Sequence, residues 1–185
     1  MRRLPGASTG WKTGHGFRAL GLASSLVFAW AGCEREATIA AEPLGPAPEF
    51  VLPLLAGGEV ELAKLRGKTV ILDFWATWCA PCEVQMPILD ALWREAGDGR
   101  LMIVGVSVDT DPPASVARWI EERGFRYPIA LGDQELAMRY GILGFPSLVL
   151  IDPEGRIQAR HTGVWSREEI EDRLEAIQNA AHDEG

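Results

Sequence analysis

Apolar positions along this chain fall in short runs separated by turns rich in glycine and proline. Thr69-Val70-Ile71-Leu72-Asp73-Phe74-Trp75 is apolar on both strand faces, the pattern of a central parallel strand. Leu101 to Val108 repeats that pattern. Ahead of both, Phe50-Val51-Leu52 and Glu59-Val60-Glu61-Leu62 flank Gly57-Gly58 and predict a β-hairpin, and Leu65-Arg66-Gly67-Lys68 turns the chain into the first long strand. A helix is predicted from near Pro81, carrying Val84, Met86, Ile88, Leu89 and Leu92, kinked at Pro87 and stopped at Gly97. Pro113 to Arg123 reads as a helix with proline at its start and Gly124 beyond its end. Tyr127 to Leu131 and a short helix over Asp133 to Tyr140 come next. Ser147–Asp152 and Ile157–Thr162 are strands joined by the turn Pro153-Glu154-Gly155-Arg156. Ser166 and Glu169 have capping-box spacing and open a last helix through about Ala181. The order βαβα(α)ββα after the hairpin predicts an α/β fold, a central mixed β-sheet flanked by helices.

The 185 residues, 47% of them hydrophobic, are enough for one good core. The net charge of -8 hides an asymmetry: the first 32 residues carry Arg2, Arg3, Lys12 and Arg18 and no acids, and the remaining 14 basic and 26 acidic residues carry -12. An acidic body of this kind argues against nucleic acid as a partner. The basic start leads into the apolar run Ala19 to Ala31, which suits an export signal and falls short of the roughly 20 residues of a spanning helix. Residues 1–32 are therefore expected to be a signal peptide. Cys33 after Ala31-Gly32 resembles the bacterial lipobox, whose cleavage leaves a diacylated N-terminal cysteine, although Trp30 stands where that pattern prefers Leu, Val or Ile. The alternative is a soluble secreted protein cut near Ala31. Residues 33–47, rich in Ala, Glu, Pro and Gly, read as a flexible tether, and 48–183 as the folded domain.

The chemistry is concentrated in Trp78-Cys79-Ala80-Pro81-Cys82, between a predicted strand and a predicted helix. Two cysteines three positions apart at a helix start can close a disulfide, and the helix dipole favours a thiolate on the first. The thiolate is the form that attacks disulfides. Structural zinc usually takes four Cys or His ligands, often as two spaced pairs, and Cys33, His15, His161 and His182 supply no second pair. Cys79 is accordingly the expected attacking thiol, exposed at the helix N-terminus, and Cys82, one turn inside, the buried resolving thiol. Ala80-Pro81 brings no cation to stabilise a thiolate, so the dithiol is expected to be a reductant. Trp75 and Trp78 are expected to wall the site.

Phe74-Trp75-Ala76-Thr77-Trp78-Cys79-Ala80-Pro81-Cys82, then Gly144-Phe145-Pro146-Ser147, then Asp152-Pro153-Glu154-Gly155 resemble thioredoxin-like proteins, and most of all the exported, membrane-anchored TlpA/ResA-type reductases. The resemblance covers roughly Ala47 to Ala181, and the segment between Asp109 and Tyr140 is similar to the α/β insertion of those proteins. It implies a cis Pro146 opposite the dithiol, whose loop pairs with an extended substrate segment, and a Phe145 that shapes substrate preference. With Trp78, Ala80 and Pro81 these make the expected substrate-binding residues. The bland alternative is a trans proline opening a strand. No cofactor and no metal are expected.

Asp73 lies six positions before Cys79 inside an apolar strand, where an unpartnered carboxylate is costly and its pKa rises. Thioredoxins carry an aspartate here that helps deprotonate the resolving cysteine. TlpA/ResA-type proteins more often have Asn there and a Glu three residues after the second cysteine, where this chain has Gln85. Asp73 is thus a catalytic candidate, or else a tolerated structural acid. His161 keeps open a second function, a copper-binding metallochaperone using Cys79, Cys82 and His161, since thiolate and imidazole suit copper. A third reading, a peroxidase working through Cys79 alone, is disfavoured by the adjacent Cys82. The resemblance further implies disulfide-containing exported proteins as clients, such as apocytochromes c or copper-site proteins. It also implies a membrane electron donor and a location on the periplasmic side of the cell membrane. The chain is expected to act as a monomer.

Overall fold

The computed structural model describes residues 43–97 and 99–183. The signal segment, Cys33 and most of the tether lie outside the described residues. Strands β1 (Val51–Pro53) and β2 (Glu59–Glu61) form the expected hairpin, followed by a single 3₁₀ turn, Leu62–Leu65, that buries Leu62 and Leu65. Then come β3 (Thr69–Trp75), α1 (Cys82–Glu95), β4 (Leu101–Ser107), α2 (Pro113–Arg123), β5 (Ile129–Leu131), α3 (Gln134–Arg139), β6 (Ser147–Ile151), β7 (Ile157–Thr162) and α4 (Arg167–Asp183). The main sheet has the order β5-β4-β3-β6-β7, with β3, β4 and β5 mutually parallel, β6 antiparallel to β3 and β7 antiparallel to β6. Every residue of β3 and β6 is buried, as central strands apolar on both faces require.

The crossovers β3-α1-β4 and β4-α2-β5 step the same way across the sheet, so their right-handedness places α1 and α2 on one face. Arg123 of α2 pairs with Glu83 of α1 at 3.2 Å, and Arg167 of α4 with Glu95 of α1. Side chains alternate along β3, so Asp73 and Trp75 share a face and Phe74 takes the other. Trp75 meets Trp119 of α2, with ring centroids 5.0 Å apart, and Phe74 meets Tyr140 beyond α3 at 5.4 Å. The helix α1 runs through Pro87, and the capping box forms: the Glu169 carboxylate accepts from the Ser166 N–H and hydroxyl, and the Glu169 N–H donates back.

The folded part begins before residue 48. The Leu44 N–H donates to the Ile157 carbonyl at 2.7 Å, Ala47 to Gly155 at 2.9 Å, and Ile157 back to Gly45 at 2.8 Å. Residues 44–47, read from the sequence as the end of the tether, are an extended segment laid along the start of β7. Their pairing uses backbone groups alone, which leave no trace in a side-chain pattern.

Candidate active site

The polypeptide leaves the sheet after Trp75 and makes two tight turns before α1, with Cys79 N–H donating to Ala76 and Cys82 N–H to Cys79. This loop is held from outside by Asp109, just past β4. Its carboxylate accepts the Thr77 N–H at 3.0 and 3.1 Å, the Thr77 hydroxyl at 2.6 Å and the Ser107 hydroxyl at 2.8 Å. Nothing caps α1 by a side chain, so the positive end of its dipole is left to the residues in front of it.

Cys79 and Cys82 form a disulfide with Cα atoms 5.4 Å apart. Cys82 is fully buried, and Cys79 is only 5% exposed, less open than its place at the helix entry suggests. The exposed ring beside it is Trp78, which meets Phe145 edge-on at 5.8 Å. The Phe145–Pro146 bond is cis. A cleft of about 460 Å³ runs past Cys79, lined by Trp78, Ala80 and Pro81 on one side and Met138, Leu143, Gly144 and Phe145 on the other. None of the described residues lining it carries a charge. Of the five expected substrate-binding residues, four line this cleft. Pro146 itself is buried behind it, and its carbonyl accepts the Gly163 N–H at 2.9 Å. Leu143, 96% exposed at the cleft edge, had no mark in the sequence beyond its place before Gly144. Trp75 does not wall the site, because strand alternation turns it under α2, where it is completely buried.

Beneath α1 lies the second half of the site. Asp73 is completely buried, and burial pushes its pKa up to about 7 although a hydrogen bond from Tyr127 works the other way. The Tyr127 hydroxyl donates to Asp73 Oδ2 at 2.9 Å; Asp73 Oδ1 has no partner among the described residues. Burial first, then the Asp73 charge, raises the Tyr127 phenol well above its ordinary value. Gly105 is the register partner of Asp73 on β4, and the absence of a side chain there makes room. A Cβ on Gly105 would lie 2.7 Å from Ile129 Cδ1, 3.0 Å from Tyr127 Cε2 and 3.1 Å from Trp75 Nε1. Gln85 occupies the turn after Cys82, also buried, and its Oε1 accepts the Trp165 N–H at 2.7 Å.

Tyr127, Gly105 and Asp109 were not singled out in the sequence. Two signals pointed to the first two: a glycine inside an apolar strand marks close approach at Gly105, and a carboxylate inside another demands a donor, which Tyr127 supplies; Asp109 had no such signal. His161 stacks on Trp165 at 4.8 Å. Among the described residues no three His, Cys, Asp or Glu side chains gather where they could hold a metal.

Residues 44–160 match the AhpC/TSA family model. The chain belongs to that family. Within it the likeness is to thioredoxin-like thiol-disulfide oxidoreductases. The thiol-disulfide oxidoreductase ResA of Geobacillus kaustophilus is 38% identical over 132 residues, 71% of this chain and 75% of that protein. The thioredoxin-like protein YneN of Bacillus subtilis is 31% identical over 131 residues, 70% and 76% of the two chains. Among solved structures, the exposed lipoprotein thioredoxin Etrx1 of Streptococcus pneumoniae superposes with a TM-score of 0.64 at 27% identity, covering 69% of this chain and 98% of that one. This AhpC/TSA member is a thiol-disulfide oxidoreductase with a thioredoxin-like fold, and Cys79 and Cys82 are its CxxC pair, joined here as a disulfide.

Proposed function

We propose that this protein is an exported reductant of disulfides in other exported proteins. One observation carries the direction of electron flow: Ala80-Pro81 separates the cysteines, and among the described residues no charged side chain lines the cleft around Cys79. A thiolate there gains from the helix dipole but has no ion partner, so the dithiol form is weakly stabilised and gives up its electrons readily.

In the reduced protein the Cys79 thiolate attacks one sulfur of a client disulfide. The client's S–S bond breaks, its other sulfur leaves as a thiolate that takes up a proton, and a Cys79–client mixed disulfide forms. Cys82 then loses its proton to the Asp73 carboxylate and attacks Cys79 Sγ. The mixed disulfide breaks, the second client sulfur leaves, and two electrons have passed from the Cys79–Cys82 pair to the client. Asp73 suits the task because its pKa of about 7 matches a neutral working pH. The uncharged cleft fits an extended client segment laid between Trp78 and Phe145, beside the cis Pro146 loop. A dithiol donor at the membrane must re-reduce the disulfide, because the envelope is oxidising. Candidate clients are apocytochromes c awaiting haem and copper-site proteins.

The apolar run ending in Ala31-Gly32-Cys33 supports export as a lipid-anchored protein, with the domain on the periplasmic side. Mass spectrometry of the mature N-terminus tests the anchor: a diacylated Cys33 is expected, and an unmodified N-terminus refutes it. Equilibration of the purified domain with defined thiol-disulfide buffers tests the direction. A potential well below that of protein disulfide isomerase, about -180 mV, is expected, and a value above it overturns the reductant reading.

A further inference from the structure

We infer that Tyr127 is the positioning residue for the Asp73 carboxyl group, its hydroxyl holding Oδ2 so that Oδ1 is the oxygen that receives the Cys82 proton; this rests on the reading of Asp73 as the base. The geometry is specific on both sides. Asp73 lies on the sheet face that α1 covers, and Cys82 is the first residue of α1. Oδ2 is engaged by Tyr127 at 2.9 Å, whereas Oδ1, equally buried, has no partner among the described residues. A buried carboxylate oxygen without a donor is costly, and the cost is relieved when a proton arrives on it.

Tyr127 itself is pinned. The N–H of its predecessor Arg126 donates to Asp90 of α1 at 2.5 Å, and the carbonyl of its successor Pro128 accepts the Gly105 N–H at 2.8 Å. Its ring fits over Gly105, the residue paired with Asp73, where a Cβ would press against it at 3.0 Å. The helix that carries Cys82 and the strand next to Asp73 therefore both fix where this hydroxyl sits.

Among the described residues few titratable or charged groups act on this pair. Tyr127 comes from the segment before β5, and α1 contributes Cys82, once reduced, and Asp90, whose charge adds to the rise in the Tyr127 pKa. The register partners of Asp73 on β4 and β6 are Gly105 and Leu148, α2 presents Trp119 to Trp75, and Gln85 of α1 is uncharged. A hydrogen bond to the ionised carboxylate favours that form. Its removal raises the Asp73 pKa, and a stronger donor lowers it.

The experiment is a pH titration of the Asp73 carboxyl carbon by NMR, with the pH–rate profile of mixed-disulfide release measured on the same full-length proteins. In Tyr127→Phe both midpoints are expected to rise by about one pH unit, and release at pH 7 to slow by up to about tenfold, recovering at pH 9. Fluorotyrosine, a more acidic donor, is to be incorporated at the two tyrosines of the chain, Tyr127 and Tyr140, and is expected to move both midpoints down. In an Asp73→Asn background neither change has an effect on release. A merely structural role for Tyr127 would lower the melting temperature and scale the rate equally at every pH. Unmoved midpoints, with Asp73→Asn still altering the profile, overturn the inference and leave the base assignment standing. A wild-type profile in Asp73→Asn overturns the base assignment instead.

Discussion

Asp109 and Thr77 are joined by a double clasp: the carboxylate takes both the backbone N–H and the hydroxyl of Thr77, two residues ahead of Cys79. The loop that carries Cys79 is thereby tied to the end of β4 as well as to its own strand. Each hydrogen bond to a charged group contributes about 1.5–3 kcal/mol, and this site is half-buried. Asp109→Ala is expected to lower unfolding free energy by about 2–3 kcal/mol and to slow attack on client disulfides. Urea denaturation and stopped-flow reduction of a fluorescent disulfide peptide measure the two effects. Unchanged stability would mean that the loop holds its shape without the clasp.

Cys82→Ser is expected to accumulate mixed disulfides with client proteins, and Cys79→Ser to form none. The first thiol precedes α1 at the rim of the cleft, and the second is fully buried as its first residue. Affinity capture under acid-quenched, non-reducing conditions reads the adducts. Equal trapping by both variants would reverse or abolish this division of labour.

Gly105→Ala is expected to destabilise the protein by about 1–3 kcal/mol through overpacking. Its new methyl would displace Ile129 Cδ1 and press on the Tyr127 ring and Trp75 Nε1, which must give by a few tenths of an ångström beside Asp73. The same variant should therefore move the pH–rate profile as well as the urea midpoint. A change in stability alone would confine Gly105 to packing.

The parts of this molecule that are legible in its sequence are those written by local periodicity and local chemistry. The fully apolar runs of β3 and β6, the proline and glycine that bracket α2, and the Ser166–Glu169 box each signal their element without reference to anything distant. The Asp73–Tyr127 bond spans 54 residues and depends on β4 lying between β3 and β5, so no window of sequence contains it. The sequence posed the problem, a carboxylate in a strand with no wet face, and only the sheet order supplied the donor. Leu62 continues the alternation of the strand before it, although it opens the 3₁₀ turn Leu62–Leu65, because one apolar residue at a strand end fits either period. The role of Gln85 was also hidden: its amide grips the Trp165 N–H, and it thereby ties the redox helix to the segment leading into α4.

The buried acid also sets how stability depends on pH. Asp73 has a folded pKa of about 7 against an ordinary value of 3.8, so between these two pH values the folded protein holds a proton that the unfolded chain releases. Stability from this group is fully present below about pH 4, falls as pH rises, and is lost above about pH 7. At 1.36 kcal/mol per pH unit, the loss across that window is about 4 kcal/mol. Asn at this position cannot ionise and keeps a carbonyl oxygen for the Tyr127 hydroxyl. Asp73→Asn is expected to be about 3–4 kcal/mol more stable than wild type at pH 8.5, to lose most of that advantage at pH 4.5, and to release mixed disulfides about 10²-fold more slowly at pH 7. Greater stability together with slower turnover is the signature of an acid kept for chemistry. Urea unfolding of both oxidised proteins at the two pH values tests the linkage. A variant no more stable than wild type at pH 8.5 would mean that the Asp73 carboxylate is already well satisfied in the fold, and the raised pKa with its role at neutral pH would have to be abandoned.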